Sequence, residues 1–377
     1  MKSFTTLPSL KASRVLIRVD YNVPFKGAKI ADTRRIDASF ATINTVIKKG
    51  GTPVLIAHLG DSTASLRPIA TYLSKSYKVV FVTHDIYDDA IFDIFAQVPK
   101  GTIILLENIR RYKEEEAHSL VFAKRLSKLG QYYINDAFSV SHRKHASVVG
   151  IAKYLPSFGG AQLIQEIKAL TPVVQKPTHP FLFILGGSKF ATKIPLISRF
   201  VDTADQIVIT GALLNSFYKI LGFEVGDSVV EDGYEKQIKA LTKKQNLLLP
   251  VDVVVLRQEL SKEKKVICTP DEILPKDIIV DIGPQSVGLI VAKIEKAKLV
   301  VWNGPTGWYE KGFTKASVAV AHAIAQSKAR GIIGGGDTGL VIEKAVGASK
   351  NIFISTGGGA TIDFLAQGTL PGIKALG

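Results

Sequence analysis

Short runs of β-branched and other apolar residues alternate along the chain with segments whose apolar residues recur at helical spacing. The runs predict buried strands at Val15–Val19, Pro53–Ala57, Val79–Val82, Thr102–Leu106, Tyr132–Ile134, Phe181–Leu185, Gln206–Ile209, Leu248–Val255, Ala297–Val301, Gly331–Ile333 and Asn351–Ile354. The helical spacing predicts helices at Asp37–Lys48, Ser119–Leu129 and Gln162–Leu170. Such alternation is typical of parallel sheets with helices on both faces. The pattern therefore predicts an α/β protein.

The length of the chain indicates more than one domain, because 377 residues with 46% hydrophobic content exceed what one core usually accommodates. A stretch rich in Pro, Ser and Gly, 154–160, lies between the halves. We predict two Rossmann-like lobes, each a parallel sheet flanked by helices. The predicted boundaries are a first lobe over 1–155, a hinge region with a linking helix over 156–170, and a second lobe over 171–360.

The composition indicates the kind of cellular compartment in which the protein works. The single cysteine, Cys268, allows no internal disulfide and fits a reducing compartment. No run is apolar enough for a signal peptide or a membrane span. We therefore expect a cytoplasmic protein without a membrane partner.

The net charge of +15 raises the question of a nucleic-acid partner. The lysines occur as scattered pairs, such as Lys48 with Lys49 and Lys243 with Lys244, rather than as a stripe with interleaved aromatic residues. The charge thus argues for a lysine-rich surface or anionic substrates more than for nucleic acid. A nucleotide-binding protein whose main role is to bind RNA or another partner remains the alternative.

Three predicted strands of the second half end in glycine-rich loops, at 185–189, 334–338 and 355–360. Glycine lets backbone N–H groups approach phosphate oxygens, with a helix N-terminus behind them. Lys189 and Lys193 are spaced to share one face of a helix, and Asp337 inside its loop suits a Mg²⁺ ion that bridges carboxylate and phosphate. These features predict a magnesium-nucleotide site.

Two other interpretations of the glycines are possible. Gly334, Gly336 and Gly339 satisfy G-x-G-x-x-G, which is typical of dinucleotide dehydrogenases, but Asp337 would repel a bare pyrophosphate and the ribose-binding acid is missing. Tight turns between strand and helix explain any one loop, but explain three loops with two lysines and an aspartate less well. Asn303, after a further strand, and Glu310 are candidates to bind the sugar.

The strand ends of the first half carry cations and polar groups instead. They are Asp20, Asn22, Arg34, Arg35, His58, Arg110, Arg111, His142, Arg143 and His145. Guanidinium groups bind carboxylate and phosphate through paired hydrogen bonds, and the carboxyl ends of parallel strands share one edge of a sheet. The first lobe is thus predicted to bind a small polyanion.

The chain resembles phosphoglycerate kinases over essentially its whole length. The matching segments are R-V-D-Y-N-V-P (18–24), A-H-L-G (57–60), L-E-N-I-R (106–110), N-D-A-F (135–138), S-H-R-K-H-A-S (141–147), L-G-G-S-K-F-A-T-K-I (185–194), L-P-V-D-V-V-V (249–255), D-I-G-P (281–284), V-W-N-G-P (301–305), G-G-G-D-T (334–338), S-T-G-G-G-A (355–360) and L-P-G-I (370–373). The resemblance implies reversible phosphoryl transfer from 1,3-bisphosphoglycerate to Mg-ADP, giving 3-phosphoglycerate and Mg-ATP. It also implies a monomer that closes about a hinge, and a tail over 361–377 that returns to the first lobe.

Residue roles follow from the matched motifs. The resemblance assigns the glycerate to Asp20, Asn22, Arg35, His58, Arg110 and Arg143. It assigns the nucleotide to Lys189, Lys193, Gly211, Asn303, Glu310, Gly335, Gly336, Asp337 and Thr338, with backbone amides from Gly357 and Gly358. Arg35, Lys189, Gly335 and Gly358 are the implied catalytic groups, and Asp337 is the implied magnesium ligand.

The sequence departs from the family at three places. Asp61 follows His58-Leu59-Gly60 where the family usually has an arginine, so one cation of the glycerate site is missing, and Arg67 is the nearest candidate to replace it. The segment 210–214 replaces a more glycine-rich lining of the base pocket. Gln165 stands where the linking helix commonly has lysine.

Overall fold

The computed structural model describes residues 1–27, 29–259 and 262–377, without the side chains of Glu259, Lys262, Glu263 and Asp337. It divides into two compact units, one formed by Met1–Lys168 with Thr369–Gly377 and the other by Ala169–Gly368. The first unit continues to Lys168, beyond the end predicted at 155, and the second continues to Gly368, beyond the end predicted at 360. Both units contain a parallel sheet flanked by helices, which confirms the predicted fold class.

Among its described residues, the first unit begins with nine strands and six α-helices. The strands are β1 (Lys2–Ser3), β2 (Arg14–Arg18), β3 (Phe25–Lys26), β4 (Lys29–Ile30), β5 (Thr52–Ile56), β6 (Lys78–Val82), β7 (Thr102–Leu106), β8 (Tyr132–Asn135) and β9 (Ser157–Gly159). The helices are α1 (Arg34–Ala38), α2 (Phe40–Lys48), α3 (Arg67–Leu73), α4 (Ala90–Ala96), α5 (Lys113–Glu116) and α6 (Leu120–Ser127). Helix α7 (Ala161–Gln175) then runs across the division between the units.

The described part of the second unit contains the next nine strands and seven α-helices. The strands are β10 (Phe181–Leu185), β11 (Gln206–Ile209), β12 (Leu247–Leu248), β13 (Val253–Glu259), β14 (Lys262–Cys268), β15 (Ile278–Ile282), β16 (Leu299–Asn303), β17 (Arg330–Gly334) and β18 (Ile352–Ile354). The helices are α8 (Ile194–Phe200), α9 (Ala212–Leu221), α10 (Glu235–Leu241), α11 (Pro284–Lys296), α12 (Lys315–Gln326), α13 (Gly336–Val346) and α14 (Gly359–Gln367). Helix α15 (Pro371–Lys374) follows in the first unit.

Each main sheet is parallel throughout, and its central strands are apolar on both faces. The orders are β1-β9-β8-β2-β5-β7-β6 in the first unit and β12-β11-β10-β16-β17-β18 in the second. All five residues of β7 are buried, and so are all five of β10. The chain reverses its direction across the sheet between β2 and β8 in one unit, and between β10 and β16 in the other. Ligands of open parallel sheets bind beyond the carboxyl ends of the strands at such points.

Three predicted elements are wrong in their extent. The strand predicted at Leu248–Val255 is interrupted, because the chain leaves the parallel sheet after β12 and enters an antiparallel sheet of order β14-β13-β15. The helix predicted at Asp37–Lys48 begins earlier, at Arg34, and is broken at Ser39, whose hydroxyl donates to the carbonyl of Ile36 at 2.6 Å. Helix α7 extends five residues beyond its predicted end, past Pro172.

The last nine residues pack within the first unit. The amide of Gly372 donates to the carbonyl oxygen of Ser141 at 2.8 Å, and a Cβ atom at Gly372 would lie 2.8 Å from Val148. Among the described residues, no helix combines the length and the apolar character that crossing a bilayer requires.

Candidate functional site

A pocket of about 500 Å³ lies beyond the carboxyl ends of β10, β16 and β17, at the reversal point of the second sheet. It is lined by most of the residues predicted to bind nucleotide, namely Lys189, Lys193, Gly211, Asn303, Glu310, Gly335, Gly336, Thr338 and Gly358. Leu214, Val229, Ile278 and Trp308 add an apolar section to the wall. The volume suits a small-molecule ligand, and the mixed lining suits one with both an apolar and an anionic part.

Some of the glycines serve close packing between loops. A Cβ atom at Gly186 would lie 2.2 Å from the carbonyl oxygen of Pro305, and one at Gly304 would lie 2.1 Å from the carbonyl oxygen of Gly186. Gly304 also has a φ of +94°, which disfavours any other residue. These glycines hold the loop after β16 against the loop after β10, so they shape the pocket rather than bind a ligand.

Other glycines leave open space instead. Cβ atoms at Gly336 and Gly358 would meet no heavy atom within 4 Å, and both residues line the pocket. They directly precede or begin α13 and α14, where helical N–H groups have no intrahelical partner. The amide of Gly357 donates to the Ser355 hydroxyl at 3.2 Å, so Gly358 is the better candidate of that pair. Such amides at helix N-termini attract anions.

The two predicted lysines differ in their surroundings. Lys189 is exposed at the pocket edge, whereas Lys193 is buried and its ammonium group donates to Oδ1 of Asn303. Burial lowers the pKa of Lys193 to about 8. Because Lys193 occupies Oδ1, the amide nitrogen of Asn303 faces away from it, and this nitrogen is buried without a partner among the described residues. Lys193 and Asn303 are therefore coupled, although the sequence assigned them to different parts of the nucleotide.

Glu231 holds the lysine-bearing loop and was missed by the sequence reasoning. Its carboxylate accepts the amide of Phe190 and, at 3.4 Å, the amide of Ala191, so it caps the turn that leads into α8. Phe190 is buried against the rings of Phe217 and Tyr234. Glu231 is 40 residues or more away from these amides in sequence, and no local pattern could have connected them.

Asp281 supports the opposite wall and was also assigned no role. It is buried, accepts the Thr306 hydroxyl at 2.9 Å and the Ala316 amide at 3.3 Å, and burial raises its pKa to about 6. A Cβ atom at Gly307 would lie 2.5 Å from its carboxyl carbon. Asp281 therefore fixes the loop that leads to Glu310, which is exposed at the pocket edge.

The magnesium site implied by the resemblance rests on Asp337, whose side chain lies outside the described part of the structure. Its backbone belongs to the first turn of α13, between the pocket-lining residues Gly336 and Thr338. The described residues contain no group of three or more His, Cys, Asp or Glu that could hold a metal. Mg²⁺ usually takes one or two carboxylates together with substrate phosphates and water, so a single aspartate in this place fits the ion.

The first unit gathers the predicted glycerate residues beyond the ends of β2 and β5. Asp20 follows β2 and pairs with Arg35 at 3.2 Å, and it accepts the Ser139 hydroxyl at 2.6 Å. Arg35 also donates to the carbonyl of Asn22 at 3.1 Å. The neighbouring Arg34 pairs instead with Asp32. The two adjacent arginines thus differ in these contacts: Arg35 contacts the predicted site residues Asp20 and Asn22, and Arg34 contacts Asp32.

His58 is buried at the end of β5, beside Arg18. Nη2 of Arg18 lies 3.2 Å from Nδ1 of His58. Burial, followed by the charges of Arg18, Arg110 and Arg143, lowers the pKa of His58 to about 2. His58 is therefore a neutral imidazole at physiological pH, which suits a hydrogen-bonding role.

The loop after His58 is fixed by Asn108, which is buried. Its side-chain amide nitrogen, Nδ2, lies 2.8 Å from each of the carbonyl oxygens of Leu59, Asp61 and Ala64 and shares its two hydrogens among them. The Asp61 carboxylate accepts the amide of Thr63 at 2.8 Å and turns the chain locally. These contacts explain how the shortened loop keeps a defined shape without the arginine that the family usually has.

The cations around this loop are differently engaged. Arg110 donates to the carbonyl of Gly60, while Arg143 is exposed. The guanidinium carbon of Arg67 lies 5.1 Å from the centre of the Phe81 ring. Arg67 thus packs against a side chain of β6, and its role as a replacement for the missing cation stays a prediction.

The sequence matches the phosphoglycerate kinase family over residues 6–368. It is 38% identical over 380 residues to the phosphoglycerate kinase of Dictyoglomus turgidum, covering 97% of this chain and 96% of that protein. It is 37% identical over 396 residues to that of Xanthobacter flavus, covering both chains completely. The chain belongs to the phosphoglycerate kinase family.

Solved structures agree with this assignment. The phosphoglycerate kinase of Coxiella burnetii is similar with a TM-score of 0.85 and 33% identity, covering 99% of this chain and 97% of that one. That of Pyrococcus horikoshii is similar with a TM-score of 0.86 and 27% identity, covering 100% and 98%. The resemblance of the sequence is confirmed, and so is the reaction it implied. The chain is a phosphotransferase with a carboxyl group as acceptor, acting in glycolysis between the phosphoglycerates and ADP or ATP.

Proposed function

We propose that the pocket of the second unit binds the magnesium nucleotide, and that the polar cluster of the first unit binds the glycerate. One observation carries the first assignment: Gly336 and Gly358, with empty Cβ positions at helix N-termini, line the same pocket as Lys189 and Lys193. Amides and cations directed at one anion are the usual elements of a phosphate site.

The roles within the nucleotide site follow from position and chemistry. Lys189, exposed at the pocket edge, stabilises the transferring phosphoryl group, and the amides of Gly335 and Gly358 add fixed donors. When nucleotide binds, the ammonium group of Lys193 moves from Asn303 to the phosphates. The side-chain amide of Asn303 then binds the ribose, together with Glu310. Asp337 holds Mg²⁺, which neutralises charge on the phosphates when bound.

The roles within the glycerate site rest on the same reasoning. Arg35 stabilises the transition state, because phosphoryl transfer depends on cations placed at the oxygens of the transferring group. Asp20 and Asn22 orient Arg35 through the contacts described above. Arg110, Arg143 and His58 bind the acidic groups of the substrate. The ligands bind to different units, so we propose that the lobes close about the 156–170 region and exclude water. A cytoplasmic monomer is the proposed working form.

A coupled assay with ATP, Mg²⁺ and 3-phosphoglycerate tests this proposal. We expect turnover by the unsubstituted chain and a loss of about 100-fold or more in Arg35→Ala, the effect of removing one transition-state donor. Arg34→Ala is the matched control, since Arg34 pairs with Asp32, and it should retain turnover. Equal loss in both arginine variants, or no turnover above Arg35→Ala, would contradict the assignment.

A further inference from the structure

The hydrogen bond between Arg18 and His58 decides which nitrogen of the imidazole carries the proton. Nη2 of Arg18 lies 3.2 Å from Nδ1 of His58. A guanidinium group only donates, so Nδ1 must be the acceptor. In a neutral imidazole the proton then resides on Nε2. His58 is accordingly a donor through Nε2 and has no free acceptor nitrogen.

Arg18 is itself held in one position by its remaining nitrogens. Nε donates to the Ser147 hydroxyl at 2.9 Å, and Nη1 donates to the carbonyl of Val19 at 2.7 Å. The side chain is 1% exposed although it belongs to a strand that ends at the substrate cluster. A buried guanidinium group with three fixed partners cannot rotate away from His58 without leaving donors unpaired.

Ser147 connects Arg18 to a buried carboxylate. Its hydroxyl donates to Oε1 of Glu115 at 2.5 Å, and its amide donates to Oε2 at 2.8 Å. The hydroxyl of Tyr133 donates to the carbonyl of Ser147 at 2.8 Å, which fixes the backbone there. Glu115 is fully buried and adds a compensating negative charge beside Arg18. The order of contacts is therefore Glu115, Ser147, Arg18 and His58.

We propose that Glu115, Ser147 and Arg18 form a positioning relay, which fixes His58 as an Nε2–H donor to an acidic group of the glycerate substrate. The proposal rests on the assignment of His58 to the substrate site and adds three residues that do not themselves need to touch the substrate. The site thereby offers one neutral N–H donor at this point. It binds an oxygen that can accept a hydrogen bond and disfavours a group that can only donate.

The electrostatic surroundings support a neutral donor. Burial lowers the pKa of His58, and the nearby cations of Arg18, Arg110 and Arg143 lower it further. Nδ1 of His145 lies 3.7 Å from Oε1 of Glu115. Burial likewise lowers the pKa of His145 to about 4. The histidines nearest the relay thus stay neutral at pH 7, and the positive charge of the cluster comes from its arginines.

The first test reads the tautomer directly in the unsubstituted protein. Long-range ¹H–¹⁵N correlation spectra of the histidine rings at pH 7, with His58 assigned by its loss in His58→Gln, should show a single Nε2–H form. An Nδ1–H form, an equal mixture or an imidazolium would overturn the relay. This measurement needs neither substrate nor a relay variant that folds.

The second test breaks the relay one residue away from Arg18. Ser147→Ala should weaken 3-phosphoglycerate binding roughly tenfold, the effect of losing one hydrogen bond to a charged group, with turnover at saturation within about twofold. The ring signals of His58 should become a mixture of forms. Ser147→Thr keeps the hydroxyl and should restore both readouts. Ser127→Ala is the matched control, because Ser127 is also buried in this unit and its hydroxyl donates to the nearby backbone carbonyl of Lys124.

Two results would separate the possible failures. Unchanged affinity and an unchanged Nε2–H signal in Ser147→Ala, or equal effects in Ser127→Ala, would overturn the relay alone. If Ser147→Ala does not fold, Glu115→Gln tests the same chain of contacts with a near-identical shape, and its retention of tautomer and affinity would overturn it as well. Absence of 3-phosphoglycerate binding by the unsubstituted chain would instead refute the proposed substrate site, whatever the tautomer.

Discussion

Gly336→Ala separates a ligand-binding role for the glycines from a folding role. Gly336 begins α13, and its Cβ position is empty, so alanine needs no rearrangement of the protein. Alanine in a helix is favoured over glycine by up to about 1 kcal/mol, because the unfolded chain loses less entropy on folding. The free variant should therefore be as stable as its parent or slightly more stable.

The same methyl group should interfere with nucleotide. Gly336 lines the pocket, and a Cβ atom there would keep a phosphate from the amides at the start of α13. One hydrogen bond to a charged group contributes about 1.5–3 kcal/mol, so Mg-ADP should bind roughly ten- to hundredfold more weakly.

The control is Gly288→Ala, which lies within α11 and also meets no atom within 4 Å, but does not line the pocket. Urea unfolding and calorimetric titration with Mg-ADP give stability and affinity for both variants. Gain or retention of stability should appear in both, and loss of affinity only in Gly336→Ala. If Gly336→Ala binds Mg-ADP as tightly as Gly288→Ala does, the glycine loop does not contact the phosphates.

Three further predictions concern charge and packing. Burial lowers the pKa of Lys193 to about 8, so its ammonium loses a proton as the pH rises from 7 to 9. The affinity for Mg-ADP, measured by titration, should therefore fall over that range. In Lys193→Met the affinity should not change with pH. Gly160→Ala would place a Cβ atom 2.2 Å from Oδ1 of Asp136, which accepts the amide of Gln162. Urea unfolding should show that the free energy of unfolding falls by about 1–3 kcal/mol. An unchanged unfolding midpoint would contradict this steric clash. Asp61→Arg should tighten 3-phosphoglycerate binding in titrations, and unchanged affinity would mean that another cation already acts there.

The sequence predicted the bounds of a strand correctly where the apolar run and the buried strand have the same length. Thr102–Leu106 and Phe181–Leu185 have their observed bounds, because a fully buried strand needs an unbroken apolar run. The run Leu248–Val255 misled the prediction, because an apolar run does not reveal that the chain changes sheets within it. Ser39 divides a continuous helical pattern through a hydroxyl-to-carbonyl bond that propensity does not encode.

The candidate site shows a similar division. Residues in contiguous motifs, such as Lys189 and Gly336, line the pocket as their glycine-rich context suggested. Glu231 and Glu115 act through partners 41 and 32 residues away, so their roles follow only from the folded chain. The sequence also could not divide the glycines into those that pack against another loop, such as Gly186, and those that leave space for a ligand.

The return of Thr369–Gly377 to the first unit has a consequence for protein synthesis. A ribosome makes Met1–Lys168, then all of the second unit, and only afterwards the segment that completes the first. While the second unit is being made, the carbonyl of Ser141 lacks the amide of Gly372, and the surface at Val148 is uncovered. The unit that is translated first therefore acquires its final contacts last, and for most of translation its nascent form exposes a surface that chaperones or a misfolded neighbour could bind.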